Sequence, residues 1–103
     1  MQGTNFDGFE WDEEKSEHCR HRREFDFEFA AKLFTDEFLE WEDRRRPYGE
    51  PRFVAIGEVE HRALVVVWTP RGRLRRIISA RLASRRERKQ FDEYREAHQQ
   101  ANS

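Results

Sequence analysis

The sequence predicts a single α+β domain with two N-terminal helices, an antiparallel β-sheet of about four strands and one C-terminal helix. Three apolar runs of strand length, at 53–59, 64–69 and 74–80, are joined by hairpin-length turns, which is typical of neighbouring antiparallel strands. Helix-capping signals lie on both sides of these runs. With 103 residues, the chain can bury one modest core but not two.

The N-terminal third predicts an extended aromatic segment, Phe9–Asp12, followed by two helices. Asp12 is a candidate N-cap for a helix from Glu13 to about Arg22. This helix has almost no apolar face, so it should lie on the surface and be largely exposed to solvent. Asp26 is a candidate N-cap for the second helix, which should end at Thr35-Asp36. The second helix has an apolar face that should pack on the sheet, and this face consists of Phe29, Ala30, Leu33 and Phe34.

The middle of the chain predicts the strands of the sheet. Residues 39–42 alternate and indicate an edge strand, and a loop with three arginines, Arg44, Arg45 and Arg46, follows at 43–51. The apolar run Leu64–Trp68 predicts a central strand buried on both faces, with Val66 fully buried. A turn is expected at Thr69–Gly72, because Pro70 fixes its φ and Gly72 tolerates a positive φ.

A capping box predicts the start of the last helix. Ser84 lies three residues before Glu87, so the helix should begin near Arg85. One narrow face of this helix carries Glu87, Phe91, Tyr94 and His98, which predicts packing against the sheet edge with Arg88 exposed. Its first two turns also carry four cations that oppose the helix dipole: Arg85, Arg86, Arg88 and Lys89. Either neighbouring carboxylates or an anionic partner should neutralise them.

The composition indicates a thin core beneath a highly charged surface. Charged residues make up 40% of the chain and hydrophobic ones 36%, but 14% of the residues are aromatic, which favours folding over disorder. Residues 1–51 carry 8 basic and 15 acidic side chains, whereas residues 52–103 carry 12 and 6. This division predicts either neutralisation within the fold or a basic face for an anionic partner, of which nucleic acid is the commonest.

No pattern in the sequence indicates export or membrane insertion. No stretch approaches the length of a membrane span, and the N-terminal segment is polar, so we expect a cytosolic protein. Cys19, the one cysteine, cannot form an internal disulfide, which fits a reducing compartment. We expect flexible ends at 1–8 and 99–103 around one domain at 9–98.

Most kinds of catalytic site find no support in the sequence. The candidate metal ligands His18, Cys19 and His21 do not share one helical face and no second cluster follows them, so we expect neither a metal nor another cofactor. His61 and His98 are expected to be bystanders. The chain has no P-loop, no dinucleotide-binding glycine motif and no nucleophile elbow.

Arginines are the remaining candidates for chemistry, because guanidinium groups bind phosphate bidentately and stabilise charge that develops on a phosphoryl group. Strict alternation would place Arg75, Ile77 and Ser79 on one side of their strand. Arg76, Ile78 and Ala80 would then lie on the other side, so the neighbouring arginines cannot serve one site. For most single arginines, a surface salt bridge is the expected role. The arginines of the sheet and the last helix start are Arg52, Arg71, Arg73, Arg75, Arg76, Arg81, Arg85 and Arg86.

Several blocks of the sequence match a known family in order and spacing. The blocks are Phe9-Glu10-Trp11-Asp12, Phe27-Glu28, Arg52-Phe53-Val54-Ala55-Ile56-Gly57, Val65-Val66-Val67-x-Thr69, and Arg76-Ile77-Ile78-Ser79-Ala80-Arg81 with Glu87 and Tyr94. From Phe9 to Tyr94 the chain resembles the BrnT toxins of type II toxin–antitoxin modules. The resemblance implies a small RelE/ParE-like fold, a bacterial cytosolic location and metal-independent endoribonuclease activity that inhibits translation. It also implies a BrnA-like ribbon-helix-helix antitoxin that binds operator DNA and can form a heterotetramer with the toxin.

The resemblance also implies roles for individual residues. Arg81 and Arg76 would contact the scissile phosphate, and Glu87 would be either the general base or the group that orients Arg81. RNA would be positioned by Arg52 and Arg71, and further by Arg85 and Arg86. These roles belong to attack of the ribose 2′-OH on the adjacent phosphate.

The chain departs from the family pattern after the first helix. Cys19 replaces the usual Asn, and Arg22-Arg23-Glu24 replaces Lys-His-Gly, so an imidazole and a residue suited to positive φ are missing. Either this histidine is dispensable or the activity is weakened. Three interpretations therefore remain: a ribonuclease toxin, a toxin-like chain that only binds antitoxin, and an unrelated basic nucleic-acid-binding module.

Overall fold

The computed structural model of the protein describes residues 6–101, with side chains up to His98. Residues 1–5 and 102–103, which belong to the ends expected to be flexible, lie outside the described residues. The elements in chain order are β1 (Gly8–Trp11), α1 (Glu13–Arg23), α2 (Phe27–Ala31), a 3-10 helix (Lys32–Thr35), β2 (Phe38–Glu42), β3 (Phe53–Val59), β4 (Arg62–Arg71), β5 (Leu74–Leu82) and α3 (Arg85–Ala101). The predicted α+β class and the predicted helices are confirmed.

The strands form one mixed sheet in the order β1-β5-β4-β3-β2. The pairs β2–β3, β3–β4 and β4–β5 are antiparallel, as predicted. β1 is an additional strand that runs parallel to β5, with Phe9 opposite Arg75 and Trp11 opposite Ile77. The sequence predicted only an extended segment here, because a parallel pair so distant in sequence has no turn between its strands that would reveal it.

Helices cover both faces of the sheet. On the helical face, which we define as the side covered by α1, α2 and the 3-10 helix, the core consists of Cys19, Phe25, Phe27, Ala30, Ala31, Leu33, Ala55, Val59, Leu64, Val66, Ile77 and Ala80. Val66 is fully buried, as predicted. On the opposite face, the α3 face, Phe91 packs against Ile56 and Val65.

The prediction that α3 lies against the sheet edge is wrong. Phe91 is buried in a cluster with Ile56 of β3 and Val65 of β4, so α3 crosses the face of the sheet. Arg88 was expected to be exposed, but its Nη2 donates to Glu58 Oε2 at 2.6 Å and 38% of its side chain is accessible. A helix with few apolar residues is held here by one buried aromatic and by ion pairs to the sheet.

Of the two turns predicted between strands β3, β4 and β5, the first is confirmed and the second is wrong. Glu60 and His61 form the predicted turn between β3 and β4, with φ of 49° and 69°. The turn predicted at Thr69–Gly72 is wrong, because β4 continues through Pro70 to Arg71 and the chain reverses at Gly72 and Arg73. Gly72 supplies the positive φ, 58°.

A β-bulge in β5 changes which side chains share a face. Val67 lies opposite Ser79, but Trp68 lies opposite Ile77, so Ile78 has no partner on β4. Residues directly opposite each other point to the same side, so Arg76, Ser79 and Arg81 lie on the α3 face with Thr69, Val67 and Val65. Strict alternation therefore fails after Ile77, although Arg75 and Arg76 do lie on opposite faces as predicted. β5 also extends to Leu82, which places Arg81 inside the strand rather than after it.

None of the helices within residues 6–101 has the length and apolar character needed to cross a membrane.

Candidate functional site

Four of the candidate arginines lie on the α3 face. The β4–β5 register places Arg76 and Arg81 there, five residues apart across the bulge. Arg52 precedes β3 and Arg71 ends β4, and both guanidinium groups approach the same carboxylate, Glu50. We call these four residues the arginine face. Between 29% and 50% of each of their side chains is accessible, so an anionic ligand can reach them.

Arg81 and Glu87 form a bidentate ion pair at the junction of β5 and α3. Arg81 Nη1 and Nη2 donate to Glu87 Oε1 and Oε2, both at 2.8 Å. The backbone N–H of Ser84 also donates to Glu87 Oε1 at 2.8 Å, and Ser84 Oγ accepts from the Glu87 N–H at 3.2 Å, which confirms the capping box. The start of the helix therefore fixes the carboxylate, and the carboxylate fixes the guanidinium.

This pairing changes the acidity of Glu87. The hydrogen bond from Arg81 lowers the pKa of Glu87 to about 2, and the bond from the Ser84 N–H contributes to the same shift. A hydrogen bond to the carboxylate correspondingly raises the pKa of Arg81. Near neutral pH, Glu87 is an ionised carboxylate with little tendency to accept a proton.

Arg76 is held by a carboxylate of β1, the strand that the sequence did not predict. Its Nη1 donates to Glu10 Oε2 at 2.8 Å, and Glu10 lies opposite Arg76 in the parallel β1–β5 pair. The bulge at Ile78 places this arginine on the same face as Arg81. Bulges often re-aim a side chain beside a functional site.

Arg52 is held by a loop rather than by a strand. Its guanidinium carbon lies 4.2 Å from the centre of the Tyr48 ring, and Tyr48 Oη donates to Asp43 Oδ2 at 2.9 Å. Hydrogen bonds from Arg45 hold the pKa of Asp43 well below its usual range. Arg52 and Arg71 also share Glu50, at 3.8 and 3.5 Å. Within the described residues, Arg52 Nε is buried and has no hydrogen-bond partner.

The remaining candidate arginines lie elsewhere. Arg75 is on the helical face, where its guanidinium carbon lies 4.2 Å from the Phe34 ring and 4.8 Å from the Trp68 ring, and burial lowers its pKa. Arg73 pairs with Asp7 at 2.6 Å. Arg85 and Arg86 are exposed at the start of α3, and Arg85 lines a concavity away from the arginine face.

The structure adds three residues that contact the arginine face and that sequence reasoning missed: Glu10, Tyr48 and Glu50. Glu10 alternates with two aromatic residues, and this alternation indicates a side chain on the opposite face of a strand. Tyr48 and Glu50 lie in an irregular loop, where no periodic pattern shows which way a side chain points.

In the part of the chain that the structure describes, no three His, Cys, Asp or Glu side chains form a cluster that could hold a metal ion. Cys19 is buried and its Sγ donates to the Ala80 carbonyl at 3.6 Å. Burial raises the pKa of the Cys19 thiol, which disfavours the thiolate form that a metal requires. His18 and His21 are exposed on α1.

Comparison with known proteins decides the family of the chain. The model of the family described as the ribonuclease toxin BrnT of type II toxin–antitoxin systems matches residues 11–87. The chain belongs to the BrnT toxin family. No curated protein matches the sequence.

Membership in BrnT confirms the resemblance on which the sequence interpretation rested. BrnT is a family of ribonuclease toxins of type II systems, which implies an antitoxin partner. The matched range includes the whole arginine face and ends at Glu87. Membership decides against the unrelated nucleic-acid-binding module.

The structure also locates the positions at which this chain departs from the BrnT pattern. Glu24 is the C-cap of α1, with φ of 67° and ψ of 18°, a left-handed conformation that glycine adopts without strain. The fold therefore keeps the backbone conformation for which the family glycine is suited. Arg23, at the position of the family histidine, lines two concavities beside the last residues of β5.

Proposed function

We propose that this BrnT chain is a metal-independent endoribonuclease that cleaves RNA and thereby inhibits translation, with the arginine face as its active site. The observation that carries the proposal is the placement of four guanidinium groups on one accessible face, one of them fixed by a strand-to-helix junction. Guanidinium groups are well suited to bind RNA phosphates and to stabilise a phosphoryl transition state.

The proposed reaction is attack of a ribose 2′-oxygen on the adjacent phosphorus. The 2′-O–P bond forms while the P–O5′ bond breaks, which yields a 2′,3′-cyclic phosphate and a 5′-hydroxyl. The 2′-hydroxyl loses its proton to water or hydroxide, and the departing 5′-oxygen gains one. Negative charge grows on the phosphoryl oxygens during this step, and Arg81 and Arg76 would stabilise it.

Glu87 would act in this reaction as a positioning residue rather than as the general base. A carboxylate whose pKa is about 2 is a poor proton acceptor at neutral pH, because an effective base has a pKa near the working pH. Its two bonds to Arg81 instead hold the guanidinium in one orientation, which reduces the reorganisation needed when the phosphate arrives.

Arg52 and Arg71 would position the RNA on the other side of the face. Arg52 Nε is buried, so a phosphate would contact the accessible part of the Arg52 side chain, which is 29% exposed. The Tyr48 ring packs against the guanidinium group of Arg52 and holds it in place. Arg85 and Arg86 would contact RNA outside the scissile phosphate.

We further propose that a BrnA-like ribbon-helix-helix antitoxin neutralises the chain in the bacterial cytoplasm. In this proposal the two proteins form a heterotetramer that reaches operator DNA only through the antitoxin. Family membership supports an antitoxin of some kind, and the uneven charge of the chain supports an acidic binding partner.

A toxin-like chain without catalysis is the second candidate, and two observations favour it. Each arginine of the arginine face is already paired with a carboxylate of the same chain, and Arg23 stands where the family has histidine. Under this alternative, Arg23→His would create or strongly raise RNA cleavage. Under the ribonuclease proposal, the unmutated chain cleaves RNA and Arg23→His changes the rate little.

Induced expression in a bacterial host tests the proposed function. We expect growth arrest and RNA decay when the chain is expressed alone, and recovery when the adjacent reading frame is expressed with it. Normal growth and intact RNA in the presence of confirmed soluble protein would contradict the ribonuclease proposal and favour the second candidate.

A further inference from the structure

The C-terminal half of β5 has an open edge. β1 pairs with β5 only from Leu74 to Ile77 and then turns into α1, so no strand lies beside residues 78–82 on this side in the described part of the chain. Exposed strand edges of this kind are templates for pairing with another chain.

The β4–β5 register shows which backbone groups point outward from this edge. The Ala83 N–H donates to the Ala63 carbonyl at 2.8 Å, so residue 83 makes its hydrogen bonds toward β4. Hydrogen-bonded and non-hydrogen-bonded pairs alternate in antiparallel strands. The backbone N–H and C=O groups of Ala80 and Leu82, which lie opposite Val66 and Leu64, therefore point away from β4.

The outward groups of Leu82 are accessible, whereas Ala80 is only 5% exposed and lies against Cys19 of α1. The Ala80 carbonyl accepts from Cys19 Sγ at 3.6 Å, and the Leu82 carbonyl accepts from Arg81 Nη1 at 3.2 Å. A thiol is a weak donor. The Leu82 side chain is 50% exposed, and it is one of the two large hydrophobic residues that are exposed among those described.

A groove runs along this edge. A concavity of about 500 Å³ lies between α1 and the edge, with an apolar wall that includes Phe27, Ile78 and Ala80. A second concavity, of about 550 Å³, continues past Leu82, and Arg23 lines both. We call the two together the β5 edge groove.

Most cations of the β5 edge groove are not neutralised by the chain itself, and the exception is Arg88, which pairs with Glu58 and Asp92. Five of them take part in no ion pair among the described residues: Lys15, Arg22, Arg23, Arg62 and Arg85. Three acidic residues also line the groove. Asp12 is engaged as the cap of α1, so Glu14 and Glu24 are the two carboxylates left to offset the cations. The charges at the Arg22 and Arg23 end therefore favour an acidic partner.

We propose that the β5 edge groove binds an extended acidic segment of the antitoxin, which adds to β5 as a further strand. Backbone hydrogen bonds to Leu82 would give affinity, and carboxylates on Arg22 and Arg23 with an apolar side chain on Leu82 would give specificity. Free strand groups and an apolar wall suit a polypeptide better than RNA, whose phosphates do not form a β-ladder. This inference rests on the proposed function, because it assumes the antitoxin.

Two matched pairs of variants test the proposal, with the product of the adjacent reading frame as the proposed antitoxin. Leu82→Pro removes the outward N–H at an edge position that tolerates proline, whereas Leu82→Ala keeps the N–H and removes the side chain. The double variant Arg22→Glu with Arg23→Glu reverses the groove charge, and Arg20→Glu is its control on the same helix. Calorimetry gives the affinity, hydrogen exchange gives amide protection, and RNA cleavage reports that the arginine face is intact.

We expect Leu82→Pro to weaken binding roughly 3- to 10-fold, the loss of about one hydrogen bond, and the double charge reversal to weaken it more than tenfold. Arg20→Glu should bind like the wild type, and the Leu82 amide should exchange more slowly in the wild-type complex. Unchanged affinity in both groove variants, or a Leu82 amide that stays unprotected, would overturn this inference alone. Loss of RNA cleavage with unchanged antitoxin affinity would assign the groove to RNA and also overturn it. No complex with the wild-type chain would instead contradict the antitoxin part of the proposed function.

Discussion

Two basic surfaces of this molecule differ in how their charge is balanced. On the arginine face, each guanidinium group approaches a carboxylate of the same chain, within 2.8 to 3.8 Å. In the β5 edge groove, Arg22 and Arg23 have no such partner among the described residues. A paired guanidinium group has a fixed orientation, which suits catalysis. An unpaired guanidinium group keeps its full charge for binding a partner.

Removal of Arg81 should have the largest effect. Loss of an oriented transition-state donor costs about 10²–10³ in rate, so Arg81→Ala should abolish toxicity in a growth assay. The protein should stay folded and lose about 1 kcal/mol of stability at most, because the ion pair is exposed. Arg20→Ala is the control, since Arg20 also forms an exposed ion pair, with Glu17 on α1. Full toxicity of the Arg81→Ala protein would remove the arginine face from the reaction.

Replacement of Glu87 should have a smaller effect and separates its two possible roles. Glu87→Gln keeps an acceptor for the Ser84 N–H and removes the charge, so we expect a loss in rate of about tenfold from a less well oriented Arg81. A general base would lose about 10²–10⁴ instead. The pH–rate profile checks the same point, since a positioning residue with a pKa near 2 produces no inflection between pH 5 and 8.

Acid should weaken the Arg81–Glu87 junction. The folded pKa of Glu87, about 2, lies below its ordinary value of 4.5, so its stabilising contribution is present above pH 4.5 and is lost as the pH falls toward 2. After discounting for the solvent exposure of Arg81, this contribution is about 1 kcal/mol. Urea unfolding of the wild type and Glu87→Gln should differ above pH 5 and converge near pH 2. Equal stability at pH 7 would contradict the pairing.

The smallest effect concerns the backbone beside the β5 edge groove. Glu24→Gly should stabilise the protein by about 0.5–1 kcal/mol, because Glu24 holds a φ of 67° that glycine adopts without strain. Thermal unfolding measures this change. Glu28→Gly, inside α2, is the control and should destabilise. A destabilising Glu24→Gly would show that the side chain contributes more than the backbone strain costs.

The sequence predicted the elements with strong local signals. Asp12, Asp26 and Ser84 each accept backbone hydrogen bonds at the start of the helix expected after them, because a cap depends on only a few neighbouring residues. β3 has the predicted bounds, Phe53–Val59. The pairing of β1 with β5 depends on residues that are far apart in the chain, and no short pattern reports it.

The candidate site was predictable as residue types but not as an arrangement. The resemblance singled out Arg76 and Arg81, yet strict alternation would have put them on opposite faces, and only the bulge at Ile78 brings them together. A bulge has no signal in the apolar pattern around it. The carboxylates Glu10 and Glu50 were missed for the same reason, since their partners are set by register and loop geometry.

The central claim is that the arginine face cleaves RNA, and its most direct test is the initial cleavage rate of one RNA by the purified wild-type and Arg81→Ala proteins. The assay contains a chelator and excludes the antitoxin. We predict cleavage by the wild type, products with 2′,3′-cyclic phosphate ends, and a rate about 10²–10³ lower for Arg81→Ala. Equal rates for the two folded proteins, or no cleavage by the wild type, would contradict the claim.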